Sequence, residues 1–167
     1  SGAEVGVLRR QHRGAGLDGS DEEVDPQVWW RATRTAIKDL LRRTGVEPGR
    51  IRGLGVTGDT DAAVLLDAAG HTLAPSAFGV CTTGLRGLER LLRLTPACNC
   101  HNLTGSHPRP GALLPKLLQQ RTSHPRVAHD LHLALQPPEF LRYRLTGVAA
   151  TDLSGASRTL LFSSRQR

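Results

Sequence analysis

The stretch from Ile51 to Leu66 constrains the fold of this chain more than any other feature. An apolar run, Ile51 to Val56, precedes a polar loop over residues 57–61, and a second apolar run, Ala62 to Leu66, follows it. Two short apolar runs separated by a Gly-containing loop are typical of two strands and their connection. Asp67 to Gly70 then has the residue types of a tight turn. The pattern predicts two neighbouring strands that are joined by a polar loop.

The polar loop contains Asp59, Thr60 and Asp61, whose side chains can accept hydrogen bonds. Loops that join strands often carry ligand-binding groups. Polar loops also occur simply because connections face water. The residues alone leave both interpretations open.

Residues 25–45 predict the best-defined helix. Asp25 suits the N-cap, Pro26 suits the first helical position, and Gly45 suits the C-terminal stop. Apolar residues recur at helical spacing and predict one buried face: Trp29, Ala32, Ala36, Ile37, Leu40 and Leu41. We expect this face to lie on the sheet that contains Ile51 to Val56.

The remaining segments predict short alternating elements. In chain order these are a strand over Glu4 to Leu8, an extended segment over Leu73 to Phe78, a helix over Gly84 to Leu94, a helix over Leu113 to Arg121 started by Pro115, a strand or extended segment over Asp130 to Leu135, a helix from Pro137 to a stop at Gly147 with Phe140, Leu141 and Leu145 inward, and a loop over Ala149 to Arg158.

The composition limits the class of protein. A chain of 167 residues fits one domain with one sizeable core. A net charge of +7 permits binding to nucleic acid through its phosphates, but an aromatic content of 4% provides few stacking surfaces for single strands. The sequence has no apolar run long enough to span a membrane and no secretory signal, so we expect a cytoplasmic protein.

The three cysteines, Cys81, Cys98 and Cys100, predict reduced thiols rather than a disulfide framework. Cys98 and Cys100 lie near His101 and His107, and two Cys with two His can ligate zinc. Their spacing differs from that of the usual structural zinc sites. We therefore expect no metal site.

Four groups of sequence strings occur in a specific order. They are Asp25-Pro26-Gln27-Val28-Trp29-Trp30; Ile51 to Gly58 with Val64 to Asp67; Leu103-Thr104-Gly105 with Pro115 to Leu118 and His124-Pro125; and Phe140 to Gly147 with Ala150 to Asp152 and Ser154 to Ser157. Together, their order and spacing resemble the amino-terminal domain of the FGGY family of carbohydrate kinases, in particular its xylulokinase group.

This resemblance implies an α/β fold, the ribonuclease-H-like (actin-like ATPase) domain, with a mixed sheet and helices on both faces. In this family, two such domains close on ATP and a sugar, and the terminal phosphoryl group passes to a sugar hydroxyl. The reaction needs a phosphate cradle, Mg²⁺ and a carboxylate beside the hydroxyl. ATP and Mg²⁺ are thus implied by the family, but we assign no residue of this chain to them.

The chain also departs from the family pattern. The family begins with a strand and a Gly/Thr/Ser-rich phosphate turn, whereas this chain begins at what resembles the return strand of that hairpin. The family's catalytic Asp belongs to a second half that would follow Arg167. We interpret residues 1–167 as a single incomplete FGGY-type N-terminal domain, without the first strand, the phosphate turn, the catalytic Asp or the C-terminal domain.

The resemblance also indicates substrate-binding candidates. The Met-His pair that contacts the ketose in xylulokinases aligns with Thr60-Asp61, and the preceding Gln aligns with Asp59. A Trp-Asn-Asp segment of the family's sugar site aligns near Gly79 to Thr83, which retains none of those side chains. The family also has an aromatic residue soon after the position of Lys116, where this chain has Gln119. Asp59, Thr60 and Asp61 are therefore the candidate sugar-binding residues.

We interpret the chain as a sugar-kinase-like domain, by resemblance part of an ATP-dependent ketose kinase and inactive alone. One alternative is a non-catalytic binding or scaffold domain derived from such a kinase, and another is a basic nucleic-acid-binding module. The expected partners are a small sugar and either a C-terminal domain or a second copy of the chain. A second copy would pair at an open sheet edge.

Overall fold

The structure is a computed structural model that describes residues 3–10 and 23–163. In chain order the helices are α1 Pro26–Thr44, α2 Thr82–Leu94, α3 Ala97–Thr104, α4 Leu113–Ser123, α5 Pro125–Asp130, α6 Pro137–Thr146 and α7 Leu153–Arg158, with one 3-10 turn at Pro48–Arg50. The strands are β1 Glu23–Val24, β2 Val64–Leu66, β3 Ser76–Ala77 and β4 Leu133–Leu135.

Strand β2 organises the core because it is buried on both faces. It pairs antiparallel with β4, and Leu65 lies opposite Ala134 in this ladder. Since successive strand residues point to opposite faces, Val64 and Leu66 join one apolar cluster with Trp29 and Phe140, whereas Leu65 joins a second cluster. The first cluster includes residues of α1 and α6, and the second includes residues of α4 and α5. The β2–β4 pair therefore lies between two layers of helices.

Helix α1 has the caps that its sequence predicts. The Asp25 side chain accepts a hydrogen bond from the Gln27 N–H at 2.9 Å, and Gly45 ends the helix with a left-handed φ of 66°. Trp29 is buried against Phe78, with the ring centroids 6.1 Å apart in an edge-to-face arrangement. Helix α1 also contacts α6. On the predicted apolar face Trp29 is buried and the other five residues are half-buried. The expected packing of this face on a strand over residues 51–56 is wrong.

Two predicted strands are absent from the described residues. Residues 3–10 and 51–56 form no β-ladder, and Val5, Val7, Ile51 and Leu54 are exposed. A strand exists only when a neighbouring strand satisfies its backbone N–H and C=O groups, and these two segments have no such neighbour in the described part of the chain. The strand pair predicted around loop 57–61 is therefore wrong in its first half.

Other boundaries differ in detail. The loop predicted over residues 149–158 contains helix α7, whose N-cap Asp152 accepts a hydrogen bond from the Gly155 N–H at 2.8 Å. Helix α4 begins at Leu113, two residues before Pro115. Leu145 is partly exposed at 37% rather than inward, because it lies in the last turn of α6. The turn at Asp67, the helix near Gly84 and the stop of α6 at Gly147 are confirmed.

Helices α2 and α4 pack at unusually close range. A methyl group at Gly87 would overlap the Pro115 carbonyl, and one at Gly84 would overlap the Pro110 carbonyl. Glycine is therefore needed at these two helical positions to permit the backbone approach. Within the described residues, no helix combines the length and apolar character that crossing a membrane requires.

Candidate functional site

The loop of residues 59–61 leads directly into the buried region of β2 and has a defined shape. The Asp59 Oδ1 accepts a hydrogen bond from the Asp61 N–H at 2.7 Å, a local bond that stabilises a tight turn. The Asp61 carbonyl accepts a hydrogen bond from the Gly79 N–H at 2.8 Å. These bonds position both carboxylates relative to the core.

The Asp61 carboxylate is held by two arginines. Arg109 Nη1 lies 2.5 Å from Asp61 Oδ1, and Arg158 Nη2 lies 3.3 Å from the same oxygen. Arg158 Nε donates to Thr60 Oγ1 at 2.6 Å, and Arg109 Nη2 donates to the Arg158 carbonyl at 3.2 Å. We refer to Thr60, Asp61, Arg109 and Arg158 as the arginine cluster. It connects loop 59–61 to the segment before α4 and to the end of α7.

Gly111 makes room for this arrangement. A Cβ at this position would lie 2.5 Å from Asp61 Oδ2 and 2.7 Å from Asp61 Cγ. The carboxylate therefore packs directly over the Gly111 backbone, on the side away from the Oδ1 that the arginines contact. A larger residue at position 111 would displace Asp61 from both guanidinium groups.

Lys116 lies beneath the loop and is fully buried, with 0% exposure. Its Nζ donates to the backbone carbonyl of Asp61 and, at 3.2 Å, to the backbone carbonyl of Ala77. A buried ammonium needs such partners because desolvation of an unpaired charge is very costly. Lys116 thereby joins α4 to loop 59–61 and to β3.

The charges around the loop shift two pKa values. Burial alone would raise the pKa of Asp61, but the Arg109 hydrogen bond and the charges of Arg109 and Arg158 hold that pKa below its ordinary value. Burial lowers the pKa of Lys116, and the neighbouring carboxylates of Asp61 and Asp59 partly oppose this effect. The two shifts have different causes: charge pairing at Asp61 and desolvation at Lys116.

Asp59 borders a cavity next to the arginine cluster. The cavity has a volume of about 380 Å³ and is bordered by aromatic, aliphatic and polar residues: Arg10, Val24, Trp29, Ala32, Thr33, Ala36, Asp59, Phe78, Pro137 and Leu141. The wall is mainly apolar, and the Arg10 guanidinium at its edge pairs with Asp39. An apolar cavity with a few polar groups is the usual form of a small-molecule site.

The structure places the three predicted site residues in two environments. Asp59 is exposed beside the cavity, whereas Thr60 and Asp61 contact arginine side chains. Their predicted role as sugar ligands stays a prediction. The sequence reasoning did not identify Arg109 and Arg158, because both lie far along the chain from the loop.

The sequence reasoning also did not identify Lys116 as a site residue, although the apolar residues around it are a sign of an unusual environment. It is a lysine among Leu113, Leu114, Pro115, Leu117 and Leu118. A charged residue in the middle of an apolar run either faces water or has dedicated buried partners. The depth of α4 in the fold decides between these cases, and the helix sequence alone does not show that depth.

The cysteine and histidine segment forms helix α3 and the loop after it. Cys81, Cys98 and Cys100 are free thiols. The rings of His101 and His107 stack at a centroid distance of 4.4 Å and an interplanar angle of 13°. Among the described residues, no group of three His, Cys, Asp or Glu side chains is placed to hold a metal ion.

Comparison with known proteins places the chain in a family. Residues 2–167 match the family model described as the FGGY family of carbohydrate kinases, N-terminal domain. The xylulose kinase of Klebsiella pneumoniae is 33% identical over 141 residues, which are 83% of this chain and 28% of that protein. The chain thus spans less than a third of this curated relative.

Solved structures of similar proteins share the fold. The xyloylose kinase from Brucella ovis has a TM-score of 0.80 and 28% identity, over 91% of this chain and 31% of that one. The xylulose kinase from Rhodospirillum rubrum has a TM-score of 0.82 at 23% identity, over 96% of this chain and 33% of that one. These likenesses confirm the predicted α/β, ribonuclease-H-like fold class, and the chain belongs to the FGGY family of carbohydrate kinases, as a match to its N-terminal domain.

Proposed function

We propose that this chain is the sugar-binding part of an ATP-dependent ketose kinase of the xylulose type, and that it transfers no phosphate by itself. The single observation that carries the proposal is the position of Asp59 beside a cavity bordered by Trp29 and Phe78. Sugar sites commonly combine an apolar or aromatic wall with a few fixed polar groups. The Asp59 carboxylate is exposed and can accept hydrogen bonds from sugar hydroxyls.

The relatives support the choice of substrate class. The similar proteins in Klebsiella pneumoniae and Escherichia coli are named xylulose kinases and are 33% and 32% identical to this chain. Both matches cover 83% of this chain. A ketose of this type is therefore the first substrate to test.

Kinases of this family use ATP and Mg²⁺, and we assign no residue described here to either of them. No group of three His, Cys, Asp or Glu side chains in residues 3–10 and 23–163 is placed to hold a metal ion. We therefore assign no step of phosphoryl transfer to the described residues.

A second candidate function is a non-catalytic binding or scaffold domain. One observation favours it: Thr60 and Asp61, which align with ketose-contacting residues of xylulokinases, already bind Arg158 and Arg109. A sugar would have to share or replace these contacts. Under this alternative, no sugar binds at loop 59–61 and the cluster serves only to hold the fold together.

Isothermal titration with D-xylulose, related ketoses and glycerol tests the proposal. We expect the chain to bind D-xylulose and to form no ADP from ATP in its presence. Asp59→Asn retains the oxygen that accepts the Asp61 N–H but removes the charge, and we expect it to weaken sugar binding about tenfold. Glu89→Gln, on the exposed surface of α2, is the matched control.

The outcomes separate the two functions. Binding of D-xylulose that is weakened by Asp59→Asn and unchanged by Glu89→Gln supports the sugar-binding role. A correctly folded chain that binds none of these compounds supports the scaffold alternative. Sugar-dependent formation of ADP by the chain alone would refute the claim that it is inactive.

A further inference from the structure

The arginine cluster has more positive charge than its contacts neutralise. Arg109, Arg158 and Lys116 bring three cationic groups to loop 59–61, and Asp61 is the one carboxylate that the two guanidinium groups contact within the described residues. The Asp59 carboxylate adds a more distant negative charge. This excess of positive charge favours the binding of a further anion beside the cluster.

The guanidinium groups also have unused donors. A guanidinium has five N–H donors in a planar fork. In the described contacts, Arg109 donates through Nη1 to Asp61 and through Nη2 to the Arg158 carbonyl. Arg158 donates through Nε to Thr60 and through Nη2 to Asp61. Both groups can therefore bind an additional oxyanion without first losing their present partners.

The arginines are accessible to a ligand. The side-chain exposures of Arg109 and Arg158 are 31% and 50%, whereas Lys116 is fully buried. The two exposed forks converge on the same carboxylate oxygen, Asp61 Oδ1. Arginine forks match the oxygen geometry of phosphate and carboxylate groups particularly well. The exposed face of the cluster thus has the chemistry of an oxyanion site.

We propose that Arg109 and Arg158 form an oxyanion site that binds the phosphate or carboxylate group of a polyhydroxylated ligand, such as a phosphorylated ketose or a sugar acid. The polyol part of this ligand would lie towards Asp59, so the inference rests on the proposed sugar-binding function. The Asp61 carboxylate neutralises part of the arginine charge and repels the anionic group of the ligand. This repulsion gives the site a distinctive response to mutation.

Isothermal titration of the full chain with four compounds tests the site. D-xylulose has no charge, D-xylulose 5-phosphate adds a phosphate, D-gluconate carries a carboxylate, and inorganic phosphate lacks the polyol. We expect at least one of the two anionic sugars to bind about tenfold more tightly than D-xylulose at low salt, and this advantage to decrease as salt is added. Whichever anionic sugar shows the advantage identifies the source of the oxyanion.

Two variants with opposite expected effects distinguish an oxyanion site from a structural cluster. Arg158→Gln should remove most of the anionic advantage, whereas Asp61→Asn should increase affinity for the anionic sugar, because it removes a negative charge beside the bound anion. A purely structural role would make both variants weaken binding. Arg93→Gln on α2 is the control, since Arg93 is exposed and its described partner is Glu89. Circular dichroism confirms that each variant is folded.

The inference is overturned if the anionic sugars bind no more tightly than D-xylulose, or if Arg158→Gln retains the full advantage. Binding of inorganic phosphate alone, unaffected by Arg158→Gln, also overturns it. If D-xylulose binds and the anionic sugars show no advantage, the proposed function stands and only the oxyanion site fails. If no compound binds to the folded chain, both proposals fail.

Discussion

Replacement of Lys116 by methionine tests whether this buried lysine holds the site together. The change retains most of the side-chain volume and removes the ammonium that donates to the Asp61 and Ala77 carbonyls. Hydrogen bonds from a charged donor contribute about 1.5–3 kcal/mol each, so two such bonds contribute roughly 3–6 kcal/mol. We expect the variant to lose a substantial part of this stability.

Two effects reduce the loss. Methionine does not incur the desolvation cost of a buried charge, and the Asp61 carbonyl keeps its hydrogen bond from the Gly79 N–H. We therefore expect the free energy of unfolding to fall by about 2–4 kcal/mol in Lys116→Met. For a chain of this length, that change lowers the melting temperature by roughly 5–15 °C.

Urea unfolding followed by circular dichroism measures the effect. Lys38→Met is a matched control, because Lys38 is exposed on α1 and is the other lysine of the chain. The control should stay within about 0.5 kcal/mol of the wild type. A Lys116→Met variant as stable as the control would refute the argument, since the two carbonyls would then gain nothing from the ammonium.

The pH dependence provides an independent check on Lys116. Burial lowers its pKa from the ordinary value of 10.5. Between the lowered folded pKa and 10.5, the unfolded chain binds more protons than the folded chain, so wild-type stability rises with pH in this interval. Lys116→Met lacks this contribution. The difference in unfolding free energy between the two proteins should therefore increase towards pH 10.5, and a constant difference would contradict the buried-lysine interpretation.

Three further predictions concern other parts of the fold. Gly87→Ala should destabilise the chain by more than about 2 kcal/mol, because the new methyl group overlaps the Pro115 carbonyl, whereas Gly49→Ala, with open space around it, should have little effect on the urea midpoint. Because the pKa of Asp61 is lowered in the folded chain, its contribution to stability is complete above the ordinary pKa of 3.8 and is lost as pH falls through the folded pKa. Asp61→Asn should therefore lose less stability than the wild type on acidification. Equal acid sensitivity of the two proteins would contradict this. Asp25→Ala should lower the unfolding free energy by about 1 kcal/mol in thermal melts, and an unchanged melt would show that the cap contributes nothing.

Local chemistry allowed several elements to be predicted from the sequence. The caps of α1 at Asp25 and Gly45 and the stop of α6 at Gly147 are visible as residue types at specific positions, because they act on the adjacent backbone. The turn after Asp67 is local in the same sense. These features require no knowledge of distant parts of the chain.

The failed predictions depend on distant partners. Ile51 to Val56 has the composition of a strand, but a strand forms only where another segment satisfies its backbone, and the described residues provide none there. Helix α7 was missed because Ser154, Gly155 and Ser157 have weak helix propensity, and its N-cap at Asp152 was not recognised as a start. Arg109 and Arg158 reach Asp61 across 48 and 97 residues of sequence. Only the folded chain brings these side chains together.

The close contact of α2 with α4 has a consequence for motion. Because Gly84 and Gly87 leave no room for a side chain against the Pro110 and Pro115 backbone, we expect α2, α4 and the backbone of Arg109 to move together. In the proposed oxyanion site, the backbone of Arg109 would then form the fixed side. Because Lys116 also joins loop 59–61 to α4, adjustment to a ligand would then come from rotation of the Arg109 and Arg158 side chains.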